Sequence, residues 1–414
     1  MIPPGRPSLT VFAVEDTTVQ VVWRNLAAGP MRLSARHTDV AVDVVLHDAP
    51  TGRAEAATDL IGPAGALVLH GLPPGTHVTI EATGEAVARA LRAGDTPRLT
   101  ATARTLDPLP GAELSRVSTI SDLHLGTWVF GHRGTIVETP TPVQPHPVRC
   151  AEAAMQEAAA WGADRLVVKG DITNYGKPDE WRSYAALVHD VAIPVDAVPG
   201  NHDRPFIPND LRAITPEEAT VVHSLDVASP VVVRDLPGLR VLVVDTTQPG
   251  NNRGQLRRSA DQIYQAVREA DPSGSVLIAL HHHLHQWPIP EGVPLGVGHR
   301  ESRAFVTELG RLHPRTLVTS GHTHRHRRWT YDGVTVTQVG STKDYPGVWA
   351  GYVAHEGGLR QVVRRIERPD CIRWTDRSRW AAFGSWQHLS PGSLASRCFD
   401  LTATSASAST SASP

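Results

Sequence analysis

The chain has 414 residues, of which 41% are hydrophobic and 20% charged, as is ordinary for a folded globular protein. One hydrophobic core rarely grows beyond roughly 250–300 residues, so we expect at least two domains. Forty basic residues stand against 42 acidic ones, which leaves a net charge of −2. This balance argues against partners recognised by bulk charge, and we predict no specific nucleic-acid binding.

The cysteines, the first residues and the apolar runs indicate the cellular compartment in which the protein is expected. Cys150, Cys371 and Cys398 lie too far apart for a zinc knuckle or a CxxC redox pair. The first residues lack the basic segment and apolar run of a secretory signal. No stretch reaches 18 uninterrupted apolar residues, so no membrane-spanning helix is expected. These features predict a cytoplasmic protein without a disulfide framework.

The first hundred residues predict a small all-β sandwich. Short β-branched runs, separated by Gly, Pro and Asp, occur at 18–23, 40–46, 66–69 and 77–83. The runs TTVQVVW and LHGLPPGTHVTIEA resemble a fibronectin type III or immunoglobulin-like module. Two prolines between 107 and 111 then favour a linker, because proline removes a backbone donor and restricts the residue before it.

After residue 113 apolar strands alternate with helical patterns, which predicts an α/β layered domain. The predicted strands cover 116–120, 165–169, 195–198, 240–244, 275–280 and 316–319. The predicted helices cover 148–161, 179–191, 255–270 and 301–312. Ligands of open α/β sheets bind beyond the carboxyl ends of strands, so polar clusters that follow a strand are candidate site residues.

Five polar clusters follow these strands. In chain order they are Asp122-Leu123-His124, Gly170-Asp171, Gly200-Asn201-His202-Asp203, His281-His282-His283 and Gly321-His322-Thr323-His324. The first two motifs arise readily by chance, whereas Gly-Asn-His-Asp is expected on the order of 0.001 times in a chain of this composition. Five such clusters, each at the end of a strand, indicate one site.

Together the clusters resemble the calcineurin-like metallophosphoesterase family, whose D-x-H, GD, GNH[DE], H and GH-x-H blocks all occur here in order, over about residues 117–366. The resemblance implies a four-layer αββα fold and a dinuclear metal site. Position by position, it implies that one ion is held by Asp122, His124, Asp171 and His324, and the other by Asp171, Asn201, His281 and His322. Carboxylate, imidazole and amide ligands without a thiolate suit Mn, Fe or Zn, and the choice among these metals stays open.

The resemblance also implies a hydrolase in which a hydroxide held between the two ions attacks a phosphate ester. His202 is the candidate to protonate or stabilise the leaving alkoxide, with Asp203 orienting its ring. His282 and His283 are interpreted, with His285 and His326, as histidines that support the ligands from behind or lie at the surface.

The substrate class depends on the branch of the family. Purple acid phosphatases carry a tyrosine three residues after the GD aspartate, and Asn174 occupies that position here. The segment GDITNYGKPDEW, followed by VPGNHD, is more similar to bacterial class III cyclic nucleotide phosphodiesterases and glycerophosphodiesterases, although those enzymes usually have HHPP where this chain has His281-His282-His283-Leu284. A small-molecule phosphodiester is therefore the leading substrate. A phosphomonoesterase or protein phosphatase of the same fold, and a non-catalytic metal-binding scaffold, remain as alternatives.

We therefore predict five segments along the chain. They are a β-sandwich at 1–106, a linker at 107–114, the metallophosphoesterase domain at 115–366, a Trp/Arg-rich extension at 367–401 and a disordered tail at 402–414. The tryptophans of the extension are interpreted as core residues rather than as a lid or a surface on which a base stacks.

Overall fold

The computed structural model describes residues 5–37, 41–42, 63–131, 134–138, 144–204, 213–289 and 294–402. The chain divides into two compact units, one of 1–108 with 364–373 and the other of 109–363 with 374–414. Apart from 41–42 and Thr402, the predicted strand at 40–46 and the predicted tail lie outside the described residues. Within these ranges, no helix combines the length and the apolar character needed to cross a bilayer.

The first unit is built from antiparallel strands. They are β1 (Ser8–Val14), β2 (Val19–Arg24), β3 (Arg32–His37), β4 (Ala41–Val42), β5 (Ala64–Leu69), β6 (His77–Thr83) and β7 (Arg98–Arg104), with the short helix α1 (Glu85–Ala90) before β7. One sheet has the order β1-β2-β5 and the other β4-β3-β6-β7. Strand β6 buries every second residue, so one of its faces packs against the interior. This is the antiparallel β region that the turn-separated runs predict.

The second unit contains the remaining elements. Its strands are β8 (Glu113–Ile120), β9 (Val129–Phe130), β10 (Ile136–Val137), β11 (Arg165–Lys169), β12 (Val195–Val198), β13 (Val231–Leu236), β14 (Leu239–Val244), β15 (Ser275–Leu280), β16 (Thr316–Ser320), β17 (Arg327–Tyr331), β18 (Val334–Gln338), β19 (Val348–His355), β20 (Gly358–Arg365) and β21 (Phe399–Thr402). Its helices are α2 (His146–Ala160), α3 (Pro178–Asp190), α4 (Pro216–His223), α5 (Ala260–Arg268), α6 (His299–Leu312), α7 (Pro369–Ser378), α8 (Trp386–Leu389) and α9 (Leu394–Arg397), and α7 and β20 extend across the division between the units.

These strands form two six-stranded sheets, with orders β12-β11-β8-β19-β20-β21 and β13-β14-β15-β16-β18-β17. The pairings among β12, β11 and β8, and among β14, β15, β16 and β18, are parallel. Helix α2 packs on the first sheet, α5 and α6 pack on the second, and strands β11 and β12 of the first sheet contact β15 and β14 of the second. The four-layer αββα fold implied by the family resemblance is confirmed.

Burial explains why these segments form strands and helices. All six residues of β15 are buried, as expected for a strand that is covered on both faces of its sheet. Helix α6 is amphipathic instead and buries Phe305, Val306 and Leu309 against the second sheet. Each such side chain contributes about 1.5–3 kcal/mol when it leaves water.

One predicted helix begins later than the apolar pattern suggests. The pattern predicts a helix from residue 255, but α5 begins at Ala260. The amides of Leu256 and Arg257 donate to the Glu301 carboxylate at 2.7 and 2.8 Å, and the amide of Gln255 donates to the Thr246 carbonyl. These amides are held by long-range partners, so the segment forms a turn rather than the first turn of the helix.

Candidate metal centre

The five clusters all lie at the carboxyl ends of parallel strands. Asp122 and His124 follow β8, Asp171 follows β11, residues 201–203 follow β12, His281 follows β15, and His322 and His324 follow β16. Three of these strands belong to the first sheet and two to the second. The side chains therefore meet where the ends of the two sheets adjoin.

Four side chains, which we call the first set, converge at one point: Asp122, His124, Asp171 and His324. His324 Nε2 lies 3.4 Å from Asp122 Oδ1 and 3.3 Å from His124 Nε2. His124 Nε2 lies 3.5 Å from Asp171 Oδ2. Two ring nitrogens and two carboxylate oxygens thus face one another.

A second set consists of Asp171, Asn201, His281 and His322. His281 Nε2 lies 3.3 Å from Asp171 Oδ1, 3.2 Å from Asn201 Oδ1 and 3.1 Å from His322 Nδ1. Asp171 therefore belongs to both sets, and it presents Oδ2 to the first and Oδ1 to the second.

The geometry of both sets fits the binding of divalent ions. When ligand atoms lie about 2.1 Å from an ion, neighbouring ligands are roughly 3.0–3.4 Å apart, close to the separations found here. His281 Nδ1 lies 2.8 Å from the Lys169 carbonyl, and His324 Nδ1 lies 2.5 Å from Asp344 Oδ2. With Nδ1 held from behind, each ring turns Nε2 towards its set.

The backbone at the site adopts an unusual conformation. Five of the seven predicted ligands have a positive φ, namely Asp122 (55°), His124 (46°), Asp171 (48°), His322 (71°) and His324 (54°). Such conformations are rare outside glycine and persist only where the surroundings fix them, typically at functional sites. Here the His322 amide donates to both Asp122 oxygens, at 3.0 and 3.1 Å.

Two motif glycines allow these turns to approach each other. A Cβ on Gly200 would lie 2.2 Å from Asp171 Oδ1, and a Cβ on Gly321 would lie 1.8 Å from Ser121 Oγ and 2.6 Å from Asp122 Oδ2. No side chain fits in that space. The glycines of the GNHD and GHTH clusters are thus explained by close packing against the carboxylates.

The site is buried and concentrates charge. Burial opposes ionisation of both carboxylates, but neighbouring histidines outweigh it. His324 contributes most to holding the pKa of Asp122 below its usual range, and His281 contributes most to lowering the pKa of Asp171. Burial likewise favours neutral His281, yet the charge of Asp171 raises the pKa of this ring to about 9. The two carboxylates are therefore ionised at neutral pH, as ligands of a cation must be.

His202 lies beside the first set but is oriented by a residue other than the predicted one. Its ring meets that of His124 edge-on at 4.5 Å, and its Nδ1 lies 3.0 Å from the Asn174 carbonyl. The prediction that Asp203 orients this ring is wrong. The Asp203 carboxylate accepts hydrogen bonds from the amides of Ile172, Thr173 and Gly200 and from the Thr173 hydroxyl, at 2.7–3.0 Å. Asp203 therefore ties together the loops that follow β11 and β12, and burial beside Asp171 raises its pKa to about 6.

The other histidines after β15 lie behind the second set. His282 is buried, its Nδ1 lies 2.8 Å from Thr246 Oγ1, and its ring lies 4.7 Å from that of His322. His283 stacks near the same ring with centroids 5.8 Å apart. His285 accepts a hydrogen bond from the Gly296 amide. His326, which follows β16 instead, is buried.

Sequence reasoning missed two residues at the site. Asp344 is fully buried and accepts a hydrogen bond from the His324 ring. Lys169 donates a hydrogen bond from Nζ to Thr319 Oγ1 at 3.0 Å, which links the end of β11 to β16. No motif marks Asp344. Lys169 carries a weak signal, because it is one of only three lysines in an arginine-rich chain and ends a predicted strand.

The comparisons with known proteins agree with this fold and site. The model of the calcineurin-like phosphoesterase family matches residues 115–326, slightly more than half of the chain. The chain belongs to the calcineurin-like phosphoesterase family.

Named relatives cover part of the chain. It is 30% identical over 186 residues to a probable cyclic nucleotide phosphodiesterase of Rhodococcus erythropolis, covering 43% of this chain and 57% of that protein. A cAMP/cGMP dual specificity phosphodiesterase of Mycobacterium tuberculosis is also 30% identical over 186 residues, covering 43% and 54%. A glycerophosphodiester phosphodiesterase of Enterobacter lignolyticus is 23% identical over 186 residues, covering 43% and 62%. The chain thus spans little more than half the length of these relatives.

Proposed function

We propose that this protein hydrolyses a small-molecule phosphodiester with the help of two metal ions. The observation that carries the proposal is the position of Asp171, whose two oxygens face two separate groups of buried nitrogen and oxygen atoms. A single carboxylate shared in this way is the arrangement that a pair of bridged ions requires.

The first set would hold one ion and the second set the other, with Asp171 common to both. Oxygen and imidazole ligands are compatible with Mn, Fe or Zn. When bound, such a pair of cations polarises phosphoryl oxygens and lowers the pKa of water. The protein fixes the positions of the ligands through the glycine turns, the backbone carbonyl of Lys169 and the carboxylate of Asp344.

His202 is the proposed proton donor to the leaving group. Because its Nδ1 is engaged by the Asn174 carbonyl, its Nε2 is the atom that delivers a proton. The ring is half-buried and lies next to His124, so it borders the first set without belonging to it. A diester releases an alkoxide, a poor leaving group that benefits from protonation. Relatives named as phosphodiesterases support the same substrate class.

Hydrolysis of two chromogenic esters tests the proposal. Protein stripped of metal and then reloaded with Mn, Fe or Zn is assayed with bis(p-nitrophenyl) phosphate and with p-nitrophenyl phosphate. We expect metal-dependent turnover, faster on the diester. Asn201→Ala should lose activity because it removes a ligand of the second set, whereas Asn251→Ala, which changes an asparagine in an exposed turn, should retain it.

His202→Ala separates proton donation from metal binding. We expect turnover of a dialkyl phosphodiester, which releases an alkoxide, to fall roughly 10²–10⁴-fold while the protein binds as much metal as the wild type. Turnover of bis(p-nitrophenyl) phosphate should fall much less, because nitrophenolate leaves without protonation. Faster turnover of the monoester would favour a phosphomonoesterase. No turnover of either ester by folded, metal-loaded protein would favour a non-catalytic scaffold.

A further inference from the structure

Two aromatic rings stand beside the first set. Phe130, in β9, lies nearly parallel to the His324 ring, with an interplanar angle of 17° and centroids 6.3 Å apart. Trp386, at the start of α8, lies 5.7 Å from Phe130. We call this pair the aromatic wall. It borders the candidate metal centre directly, because His324 belongs to the first set.

The aromatic wall differs from the aromatic core of the same region. Trp374 is buried and stacks on His146 at 3.8 Å, as the interpretation of these tryptophans as core residues predicts. Phe130 and Trp386, in contrast, remain half-buried, so the interpretation as a core residue is wrong for Trp386. The Trp386 indole donates to the Tyr345 carbonyl at 3.2 Å, so the orientation of this ring is fixed by a hydrogen bond. Rings that are fixed yet partly accessible are suited to binding another planar group.

Cations accompany both rings. Lys343 Nζ lies 4.9 Å from the centroid of Phe130 and 3.5 Å from Asp344 Oδ2. The Arg325 guanidinium lies 5.6 Å from the centroid of Trp386. Aromatic rings combined with positive charge form the kind of surface on which proteins stack nucleic-acid bases while attracting a nearby phosphate.

We propose that the aromatic wall binds the planar substituent of the substrate and thereby selects phosphodiesters that carry a heteroaromatic base over those with aliphatic groups only. This inference rests on the proposed function for its substrate. It goes beyond that function by naming Phe130 and Trp386 as the residues that determine specificity.

Binding of two matched ligands tests the inference without relying on turnover. Adenosine 5′-monophosphate and ribose 5-phosphate share a sugar and a phosphate but differ in the base, and both are titrated by calorimetry into the manganese-loaded full chain. We expect the wild type to bind the nucleotide about tenfold more tightly, the effect of roughly one stacking contact. Phe130→Ala and Trp386→Ala should each lose most of this difference and leave the affinity for ribose 5-phosphate unchanged, while Phe130→Tyr should retain the difference.

Phe383→Ala is the matched control, because Phe383 lies in the same C-terminal segment and is fully exposed. It should behave as the wild type. Equal affinity of the wild type for both ligands, including no measurable binding of either, would overturn the inference. Equal weakening of both ligands by the wall variants would also overturn it, since that result indicates a structural role. Failure of the proposed function is distinct: base-dependent binding would persist while bis(p-nitrophenyl) phosphate is not hydrolysed.

Discussion

Asp344 illustrates how a single residue outside every motif acts on the candidate metal centre. It is fully buried, and its Oδ2 lies 2.5 Å from His324 Nδ1 and 3.5 Å from Lys343 Nζ. A carboxylate in this position fixes the tautomer of the imidazole and makes Nε2 a better ligand. Asp344 is therefore a positioning residue for the proposed first ion.

Asp344→Asn should weaken binding of the first ion by roughly 10–100-fold, because the amide is uncharged and holds the ring less firmly. Metal titration followed by calorimetry measures the change. Asp235→Asn is the control, since Asp235 is exposed and pairs with Arg240 away from the site. Unchanged affinity in Asp344→Asn would contradict the positioning role.

Gly321 gives a second prediction at the scale of one residue. A Cβ there would overlap Ser121 Oγ and press on Asp122 Oδ2, at 1.8 and 2.6 Å. We expect Gly321→Ala to displace Asp122 and to lower both metal affinity and turnover at least tenfold, measured by metal titration and diester hydrolysis. Gly298→Ala is the matched control, because a Cβ on Gly298 meets nothing within 4 Å. Wild-type behaviour of Gly321→Ala would show that the turn can relax.

Helix α2 begins without a side-chain cap of its own, and a distant carboxylate takes that place. The N-cap is Pro145, while Glu138 Oε2 accepts from the His146 amide at 2.7 Å and lies 2.8 Å from His146 Nδ1. Arg149 also pairs with Glu138. Negative charge at the start of a helix is favourable. These donors, acting against burial, lower the pKa of Glu138 to about 2, so the carboxylate stays ionised across the range in which histidines titrate.

His146 makes the stability of this helix end depend on pH. Burial lowers the pKa of His146 to about 4; the Glu138 carboxylate partly offsets this shift, whereas the charges of Lys343 and Arg149 add to it. Its Nε2 has no partner among the described residues, so protonation would bury an unpaired N–H. Between pH 6.5 and 4 the unfolded chain binds a proton that the folded chain does not, and stability therefore falls as pH decreases through this window.

His146→Gln removes this dependence. The free energy of unfolding, measured by urea denaturation between pH 7 and 5, should fall more steeply for the wild type than for the variant, with a limiting difference of about 1.4 kcal/mol per pH unit. His189→Gln, at an exposed histidine of α3, should follow the wild type. Parallel curves for wild type and His146→Gln would contradict the assignment.

The elements also show what the sequence reveals about the fold and the site. Apolar runs predict six strands of the second unit, β8, β11, β12, β14, β15 and β16, and the polar clusters that follow five of them contain all seven ligands implied by the family resemblance, because both signals are local. Strands β13 and β17–β21 are not among those predicted. Residues that act across long sequence separations carry no such signal: Glu301 holds the amides that precede α5, and Asp344 supports a histidine from another loop. Asp203 shows a third limit. It adjoins His202 in sequence, but the two residues lie in a 3₁₀ turn, where successive side chains diverge by about 120°.

For the whole molecule, the important feature is that the candidate centre joins the two sheets of the second unit. Asp122, His124, Asp171 and Asn201 follow strands of the first sheet, whereas His281, His322 and His324 follow strands of the second. Each set therefore draws atoms from both sheets. An ion bound by such a set holds the sheets together, and in the unfolded chain these ligands are not assembled, so binding favours the folded state.

This link predicts that metal stabilises the fold. At a metal concentration 100 times Kd, one bound ion adds about 2.7 kcal/mol to the free energy of unfolding. The thermal midpoint of metal-stripped protein should therefore rise during titration with Mn. Asp171→Asn, which alters the carboxylate common to both sets, should lose most of this rise, and Asn201→Ala should lose only the part due to the second ion. Asp226→Asn, an exposed carboxylate change, should show the full rise. Asp171 contributes an oxygen to each set, so a change there should affect both ions. An equal rise in the thermal midpoint of Asp171→Asn and of the wild type would therefore mean that metal stabilises the protein at another site.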